Sequence, residues 1–221
     1  MGLRNTRIGR VIERGFWSLQ SAIWDQPIKG GVHQNRVEAL LSWVGSSLGR
    51  RDRVLDLGCA TGEFAVRLAS LGHEVCALDL SPRMLEFARR KSGCETVRFV
   101  QADLAKGLPE SLGTFDAVLL FGVLQCVPDP KRVVDEAATH LARGGLLFVE
   151  VKKSPEREVV QSSGGGAKGW ALRTTKAMGS RSAWVHRFDI PTLASMLTAA
   201  GLAAEVVDAP PPWLRLMGRA S

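Results

Sequence analysis

The sequence predicts an α/β fold in which a mostly parallel β-sheet carries helices on both faces. Short apolar runs alternate with segments of helical spacing, and three of these runs end in an acidic residue. The first run, Val54–Leu57, is followed at once by a turn of small residues. Apolar runs of this kind are typical of strands that are buried between two layers of helices. With 221 residues, the chain is long enough to form one domain with a full core.

The elements follow one another in a regular order. The strands are predicted at 53–57, 74–79, 97–103, 115–121, 144–151, 203–207 and 213–217. Helical spacing predicts helices at 32–48, 64–71, 82–88, 130–142 and 191–200. Ser81 and Pro82 are typical of a helix start, and Gly201 is typical of a position just after a helix end. The count of seven strands follows from these runs.

The turn after the first strand carries the most specific signal. Residues 56–62 read Asp-Leu-Gly-Cys-Ala-Thr-Gly, whereas a dinucleotide-binding loop needs glycine at positions 58, 60 and 63. The spacing instead resembles motif I of the class I S-adenosylmethionine (SAM)-dependent methyltransferases. An acid two residues before the first glycine suits a cation and repels a phosphate. The resemblance covers about residues 50–151 and 186–208, and it implies a Rossmann-like seven-stranded, mostly parallel sheet with one antiparallel strand.

The resemblance implies SAM as the cofactor and a set of residues that bind it. In this family the motif I residues hold the methionine end, the acid after the second strand binds the ribose, and the acid after the third contacts the adenine. The corresponding residues here are Asp56, Gly58, Ala60, Gly62, Asp79, Leu80, Asp103 and Phe121. Taken singly, the later acids are ordinary turn formers, and Leu80 and Phe121 are equally typical of a core. Three acids at successive strand ends favour the cofactor interpretation, because ligands bind at this edge of such sheets.

Catalysis by alignment and desolvation needs few dedicated residues. His33 and His186 come from the segments predicted to cap the site, so each is a candidate general base, with a surface or capping histidine as the alternative. Gln125, after the fourth strand, is a candidate to hydrogen-bond the acceptor but cannot take its proton. The four cysteines show no C-x-x-C spacing, so neither a metal site nor an iron–sulfur cluster is predicted, and polar methyl transfer is expected.

Two segments flank the cofactor-binding part. Residues 1–49 are predicted to form a helical cap whose first helix is basic and amphipathic, and 50–221 the methyltransferase domain, with a lid insertion at about 154–185. We interpret the first helix as a lid; contact with anionic lipid and an organelle transit peptide are the alternatives. No secretory signal and no run of 18 apolar residues is present, which predicts a cytoplasmic protein.

Charge bears on the acceptor. The net charge of +7 comes from residues 1–51 and 152–221, whereas 52–151 is slightly acidic. Basic flanks favour an anionic acceptor, an anionic carrier or peripheral membrane contact, with a solvated basic face as the alternative. We expect a small-molecule acceptor, a metabolite or natural product. The alternatives are RNA, a substrate on acyl carrier protein or a membrane-associated quinone precursor, and a SAM-binding regulator without turnover. The loop after strand four lacks the Asn/Asp-Pro-Pro-aromatic motif of nucleic-acid amino methylation, which argues against RNA.

Overall fold

The structure is a computed structural model that describes residues 11, 14, 15, 17–19, 32–153 and 186–221, and only the backbone at 32–34. The helices are α1 (Val32–Gly45), α2 (Glu63–Ser70), α3 (Pro82–Ala88), α4 (Pro130–Thr139) and α5 (Ile190–Ala199). The strands are β1 (Arg53–Leu57), β2 (Glu74–Asp79), β3 (Val97–Gln101), β4 (Phe115–Phe121), β5 (Leu141–Lys152), β6 (Ala203–Val207) and β7 (Trp213–Arg219). The described residues between 11 and 19 are also helical.

All seven strands belong to one sheet, in the order β3-β2-β1-β4-β5-β7-β6. The first five pair in parallel, and β7 runs antiparallel to both β5 and β6. The predicted mostly parallel sheet with one antiparallel strand is therefore confirmed. The strand order reverses direction between β1 and β4, so their carboxyl ends open a crevice at that edge, where ligands of such sheets bind.

Apolar side chains cover both faces of the sheet. On one face, Leu55, Val118 and Leu147 belong to a buried cluster that also includes residues of α4 and α5. On the other, Val54 and Phe148 belong to a second cluster with residues of α1 and α2. This two-sided burial is the reason why the parallel strands are apolar throughout rather than alternating.

The predicted helix start at Ser81 has the geometry of an N-cap. The Ser81 hydroxyl accepts a hydrogen bond from the Met84 backbone N–H, and Pro82 occupies the first turn. Asp129 and Asp189 cap α4 and α5 in the same way, each accepting from the N–H three residues later. These side chains satisfy N–H groups that have no partner within their helix.

Some boundaries differ from those predicted. Helix α4 ends at Thr139 and β5 begins at Leu141, three residues before the predicted start, because Leu141 pairs with Phe115 and a register shift follows between Phe115 and Ala117. Strand β3 ends at Gln101, so Asp103 lies beyond the strand end. The insertion at 154–185 and most of 1–31 lie outside the described residues. Within the described part of the chain, no helix combines the length and apolar character needed to cross a bilayer.

Candidate active site

The turn after β1 folds back against the end of β2. The backbone N–H groups of Gly58 and Cys59 both donate to the Leu78 carbonyl, at 2.8 and 2.9 Å, and Gly62 N–H donates to the Cys59 carbonyl at 2.9 Å. Gly58, Ala60 and Gly62 all have positive φ, of 75°, 50° and 74°. Glycine adopts this conformation without strain, whereas Ala60 needs support from its surroundings.

Asp79 provides that support from the end of β2. Its carboxylate accepts a hydrogen bond from the Ala60 N–H at 2.9 Å through Oδ2 and from the Ser81 N–H at 2.8 Å through Oδ1. Burial raises the pKa of Asp79, and the hydrogen bonds from Ser81 and Ala60 partly offset this. Each oxygen retains a further lone pair, so the residue can join the loop to a ligand with hydroxyl groups.

Asp56 lies deeper than Asp79 and is only 3% exposed. Its Oδ2 atom is buried and has no hydrogen-bond partner among the described residues. Burial, followed by the nearby charge of Asp79, raises the pKa of Asp56 to about 7. A buried carboxylate with an unpartnered oxygen is unfavourable in the ligand-free protein and is suited to a cationic group brought close by a ligand.

A pocket opens at the carboxyl edge of β1, β2 and β4, above these loops. Its lining is mostly apolar, with two carboxylates at the cofactor side. The lining residues are Trp17, Gly58, Ala60, Asp79, Leu80, Met84, Asp103, Leu104, Ala105, Phe121, Gly122, Val123, Cys126 and Val127. Six of the residues predicted to bind the cofactor are therefore brought together: Gly58, Ala60, Asp79, Leu80, Asp103 and Phe121.

The remaining predicted site residues lie outside this lining. Asp56 is buried, and a Cβ built on Gly62 would meet Ala88 Cβ at 2.9 Å and Phe99 Cε1 at 3.0 Å. Gln125 and His186 lie beside each other, since the His186 N–H donates to the Gln125 carbonyl at 3.0 Å. The backbone of His33 is in the first turn of α1, and its side chain is outside the described part. Their catalytic roles stay predictions.

The lining also contains residues that the sequence did not single out. Trp17 reaches the pocket from the N-terminal helix, and the neighbouring Ser18 hydroxyl lies 3.0 Å from the Ser81 hydroxyl. The amphipathic pattern around Trp17 was the available signal, but it marked a face rather than this side chain. Cys126 and Met84 line the pocket too, and nothing in their spacing separated them from core residues.

The residues present fit SAM. The unpartnered Asp56 oxygen is suited to the ammonium of the methionine end, and the remaining lone pairs of Asp79 are suited to a ribose diol. Leu80, Met84 and Leu104 provide apolar walls of the kind that an aromatic base needs. The fit depends on side chains from β1, β2 and the loop after β3, which only the parallel order of the sheet brings together.

Comparisons with known proteins point to the same cofactor. A family profile described as "Methyltransferase domain" matches residues 55–149. A ubiquinone biosynthesis O-methyltransferase from Xanthomonas axonopodis pv. citri is 40% identical over 102 residues, which are 44% of this chain and 41% of that protein. A Bacillus subtilis protein with a provisional methyltransferase name, YqeM, is 43% identical over 117 residues, 51% of this chain and 47% of that protein. The chain thus matches less than half the length of these curated relatives.

A solved structure extends the likeness in fold. The DhpI–SAM–HEP complex superposes with a TM-score of 0.70 over 97% of this chain and 100% of that one, at 21% identity. This likeness concerns the fold alone, whereas the family profile covers most of the segment from β1 to β5, which includes Asp56, Asp79 and Asp103. The methyltransferase-domain match over residues 55–149, together with the fold and the site described above, indicates a class I SAM-dependent methyltransferase domain, whose cofactor is SAM.

Proposed function

We propose that the protein transfers a methyl group from SAM to a small-molecule acceptor and releases S-adenosylhomocysteine (SAH). The observation that carries this proposal is the pocket itself, an apolar recess beside the motif I loop that Trp17 lines from the N-terminal helix. No basic side chain is among the described lining residues. A nucleic-acid phosphate backbone would need several such side chains, so this lining suits the apolar body of a small molecule.

On the cofactor side, the residues bind and orient. Bound SAM supplies a methyl group activated on a sulfonium. Asp79 holds the ribose, and because its other hydrogen bonds fix Ala60, ribose binding and the shape of the motif I loop depend on the same carboxylate. Asp56 faces the ammonium, which relieves a buried negative charge that has no other partner in the described structure.

On the acceptor side, the residues exclude water and align the acceptor. Phe121 ends β4 and packs against Phe64 and Trp43, with ring centroids 5.2 and 6.0 Å apart, so its ring is held firmly at the pocket. Val123 and Val127 add apolar surface after it. An enclosed apolar wall favours in-line approach of an acceptor atom in a water-poor site, which is the main requirement of this reaction.

Methyl-labelled SAM tests the proposal. The protein is incubated with fractionated cell extract, and label is followed separately in small molecules, RNA and protein while SAH is measured. We expect label in a small-molecule fraction together with SAH in equal amount. The Asp79→Ala variant should lose both, and Asp208→Ala, which changes an exposed aspartate near the C-terminus, should keep both. Label confined to RNA, or binding of SAM without SAH formation, would refute the small-molecule proposal.

A quinone-type acceptor is a second candidate. The observation that favours it is the 40% identity to a protein named as a ubiquinone biosynthesis O-methyltransferase. The match covers 44% of this chain, so it supports a shared cofactor domain more directly than a shared acceptor. Assays in detergent micelles of catechol-type acceptors with and without an isoprenoid tail distinguish a quinone-type acceptor from another small molecule. A requirement for the tail would favour the quinone-type acceptor.

A further inference from the structure

A buried charge cluster adjoins the pocket at Gly122. It consists of Glu150 on β5, Arg36 on α1 and Arg215 on β7. Arg36 Nε donates to Glu150 Oε1 at 2.6 Å, and Arg215 Nε donates to Glu150 Oε2 at 2.8 Å. The Glu150 side chain is fully buried, and those of Arg36 and Arg215 are 16% and 6% exposed. Two guanidinium groups therefore share one carboxylate, which leaves one positive charge in excess.

The excess charge is not satisfied within the described structure. Arg215 Nη2 is buried and has no hydrogen-bond partner among the described residues. Both guanidinium groups are fixed by aromatic rings: Arg36 lies 4.2 Å from the centroid of Trp213, and Arg215 lies 5.6 Å from that of Trp43. Burying an unpaired charge is unfavourable, and one arginine would be enough to pair with Glu150. The cluster is thus one anion short of neutrality.

Gly122 joins this cluster to the pocket. Its N–H donates to the Glu150 carbonyl at 2.8 Å, and the residue itself lines the pocket. A Cβ built on Gly122 would lie 3.5 Å from Arg36 Nη2 and 3.9 Å from Gln125 Nε2. Two N–H donors from different elements therefore converge on the space that the missing side chain leaves open. Such convergence of a guanidinium and an amide is suited to an oxyanion.

The position of the cluster favours the acceptor as the source of that oxyanion. Asp56 lies in β1, Asp79 ends β2 and Asp103 follows β3, whereas the cluster includes residues of β5 and β7, on the other side of β4. Arg36 and Arg215 also come from the two basic flanking segments, whose charge the sequence associated with an anionic acceptor.

We infer that Arg36 and Gln125 form a subsite for an oxyanion of the methyl acceptor, a carboxylate or a phosphate, while Arg215 shares Glu150 with Arg36. This inference rests on the proposed small-molecule function. The acceptor would then combine an apolar body, which contacts Phe121 and Val123, with one anionic group beside Gly122. Glu150 does not contact the acceptor; it positions both guanidinium groups and limits the excess charge to one.

Aromatic anions test the subsite without knowledge of the acceptor. Binding of benzoate, phenyl phosphate and the neutral isostere benzamide to the SAH-saturated protein is measured by calorimetry. We expect one of the two anions to bind at least about tenfold more tightly than benzamide, because charge-assisted hydrogen bonds to the anion replace neutral ones. Which anion binds more tightly identifies the oxyanion as carboxylate or phosphate. Equal binding of all three probes to the wild-type protein would overturn the inference.

Arg36→Gln is the decisive variant, since Glu150 keeps Arg215 as a partner and no buried charge is left unpaired. The preference for the anion should fall to within about threefold of benzamide, whereas Arg143→Gln, which changes an exposed arginine at the opposite end of β5, should leave it unchanged. Retention of the preference in Arg36→Gln would overturn the inference. If Arg36→Gln does not fold, Arg36→Lys replaces it, because lysine keeps the charge but lacks the planar guanidinium fork. Arg36→Lys should show an intermediate preference for the anion. An unchanged preference in Arg36→Lys would overturn the inference.

The cofactor's own carboxylate is the competing source of an oxyanion. Binding of SAM and of methylthioadenosine, which lacks the amino-acid end, separates the two. Weaker binding of SAM to Arg36→Gln with unchanged binding of methylthioadenosine would place the cofactor carboxylate at Arg36 and overturn the inference. Failure of the proposed function would look different. If the anion preference depends on Arg36 but the protein transfers label to no small molecule, the subsite is supported and the proposed reaction is refuted.

Discussion

Asp56→Asn separates the stability of the fold from cofactor binding. The substitution keeps the shape of a side chain that is 3% exposed, but removes a negative charge whose Oδ2 has no partner in the described structure. The pKa of Asp56 is raised from 3.8 to about 7, chiefly by burial and also by Asp79. The folded state therefore binds the proton more tightly than the unfolded chain does. The stability gained from this protonation is fully present below about pH 4 and is lost as the pH rises through about 7.

The magnitude follows from the size of that shift. Three pKa units at about 1.4 kcal/mol each give a cost of about 4 kcal/mol at pH 8 for the ionised carboxylate, which falls to about 2 kcal/mol at pH 5. Burying the asparagine amide has its own cost of about 1–3 kcal/mol, but this does not depend on pH. We therefore expect the stability of Asp56→Asn relative to wild type, measured as the difference in free energy of unfolding, to be about 2–3 kcal/mol greater at pH 8 than at pH 5.

Urea denaturation of the cofactor-free proteins at pH 5, 6, 7 and 8 measures this difference, and calorimetry with SAM gives the second half of the prediction. Wild-type affinity for SAM should weaken about tenfold from pH 8 to pH 6, since Asp56 must lose its proton to face the ammonium. Asp56→Asn should bind SAM more weakly than wild type does at pH 8, and its affinity should depend less on pH. Titration of SAM itself affects both proteins equally, so it does not contribute to the difference between them. Parallel pH curves for the two proteins, in unfolding or in binding, would refute the account of Asp56.

Three further outcomes are expected. Asp79→Ala should weaken SAM binding at least about tenfold, which calorimetry measures. It should also lower the free energy of unfolding by about 1–3 kcal/mol, because the N–H groups of Ala60 and Ser81 lose their acceptor. Urea denaturation measures this second effect, and Asp208→Ala is the control for both. Replacing residues 164–178 with a short linker should leave SAM binding nearly intact while turnover collapses. Parallel measurements of SAM binding and SAH release test this expectation. Raising salt from about 50 to 200 mM should change the acceptor KM only a few-fold, whereas an RNA substrate would lose roughly a thousandfold in affinity.

The placement of the candidate cofactor residues could be predicted because its signals are local. Asp56, Asp79 and Asp103 each follow an apolar run, and the edge they share is fixed by the parallel order of β1, β2 and β3. The start of β5 could not be predicted in the same way. Leu141 reads as the end of a helix, and only its pairing with Phe115, followed by a register shift, makes it the start of a strand.

The proposed acceptor subsite depends on contacts between distant residues. Arg36 and Glu150 are 114 positions apart, and Arg215 is 65 positions beyond Glu150, so no spacing rule connects them. One local signal was present: Glu150 interrupts an apolar run from Leu146 to Val151, and an acid within a buried strand needs a cationic partner. This signal does not identify the partner, because the two flanking segments contain many arginines, and only the structure selects Arg36 and Arg215.

The motif I glycines show how packing and binding can require the same residue. Gly58 lines the pocket, yet a Cβ built on it would lie 2.6 Å from Val123 Cγ2, in the loop after β4. Any side chain at position 58 would thus displace the loop after β4, which lines the pocket, as well as strain a backbone with φ of 75°. Loss of activity on substitution of Gly58 would therefore not distinguish cofactor binding from a misplaced acceptor loop. Asp56 and Asp79 are the sharper probes, because their side chains offer specific groups to the ligand and their replacement leaves the approach of β1 to β4 unchanged.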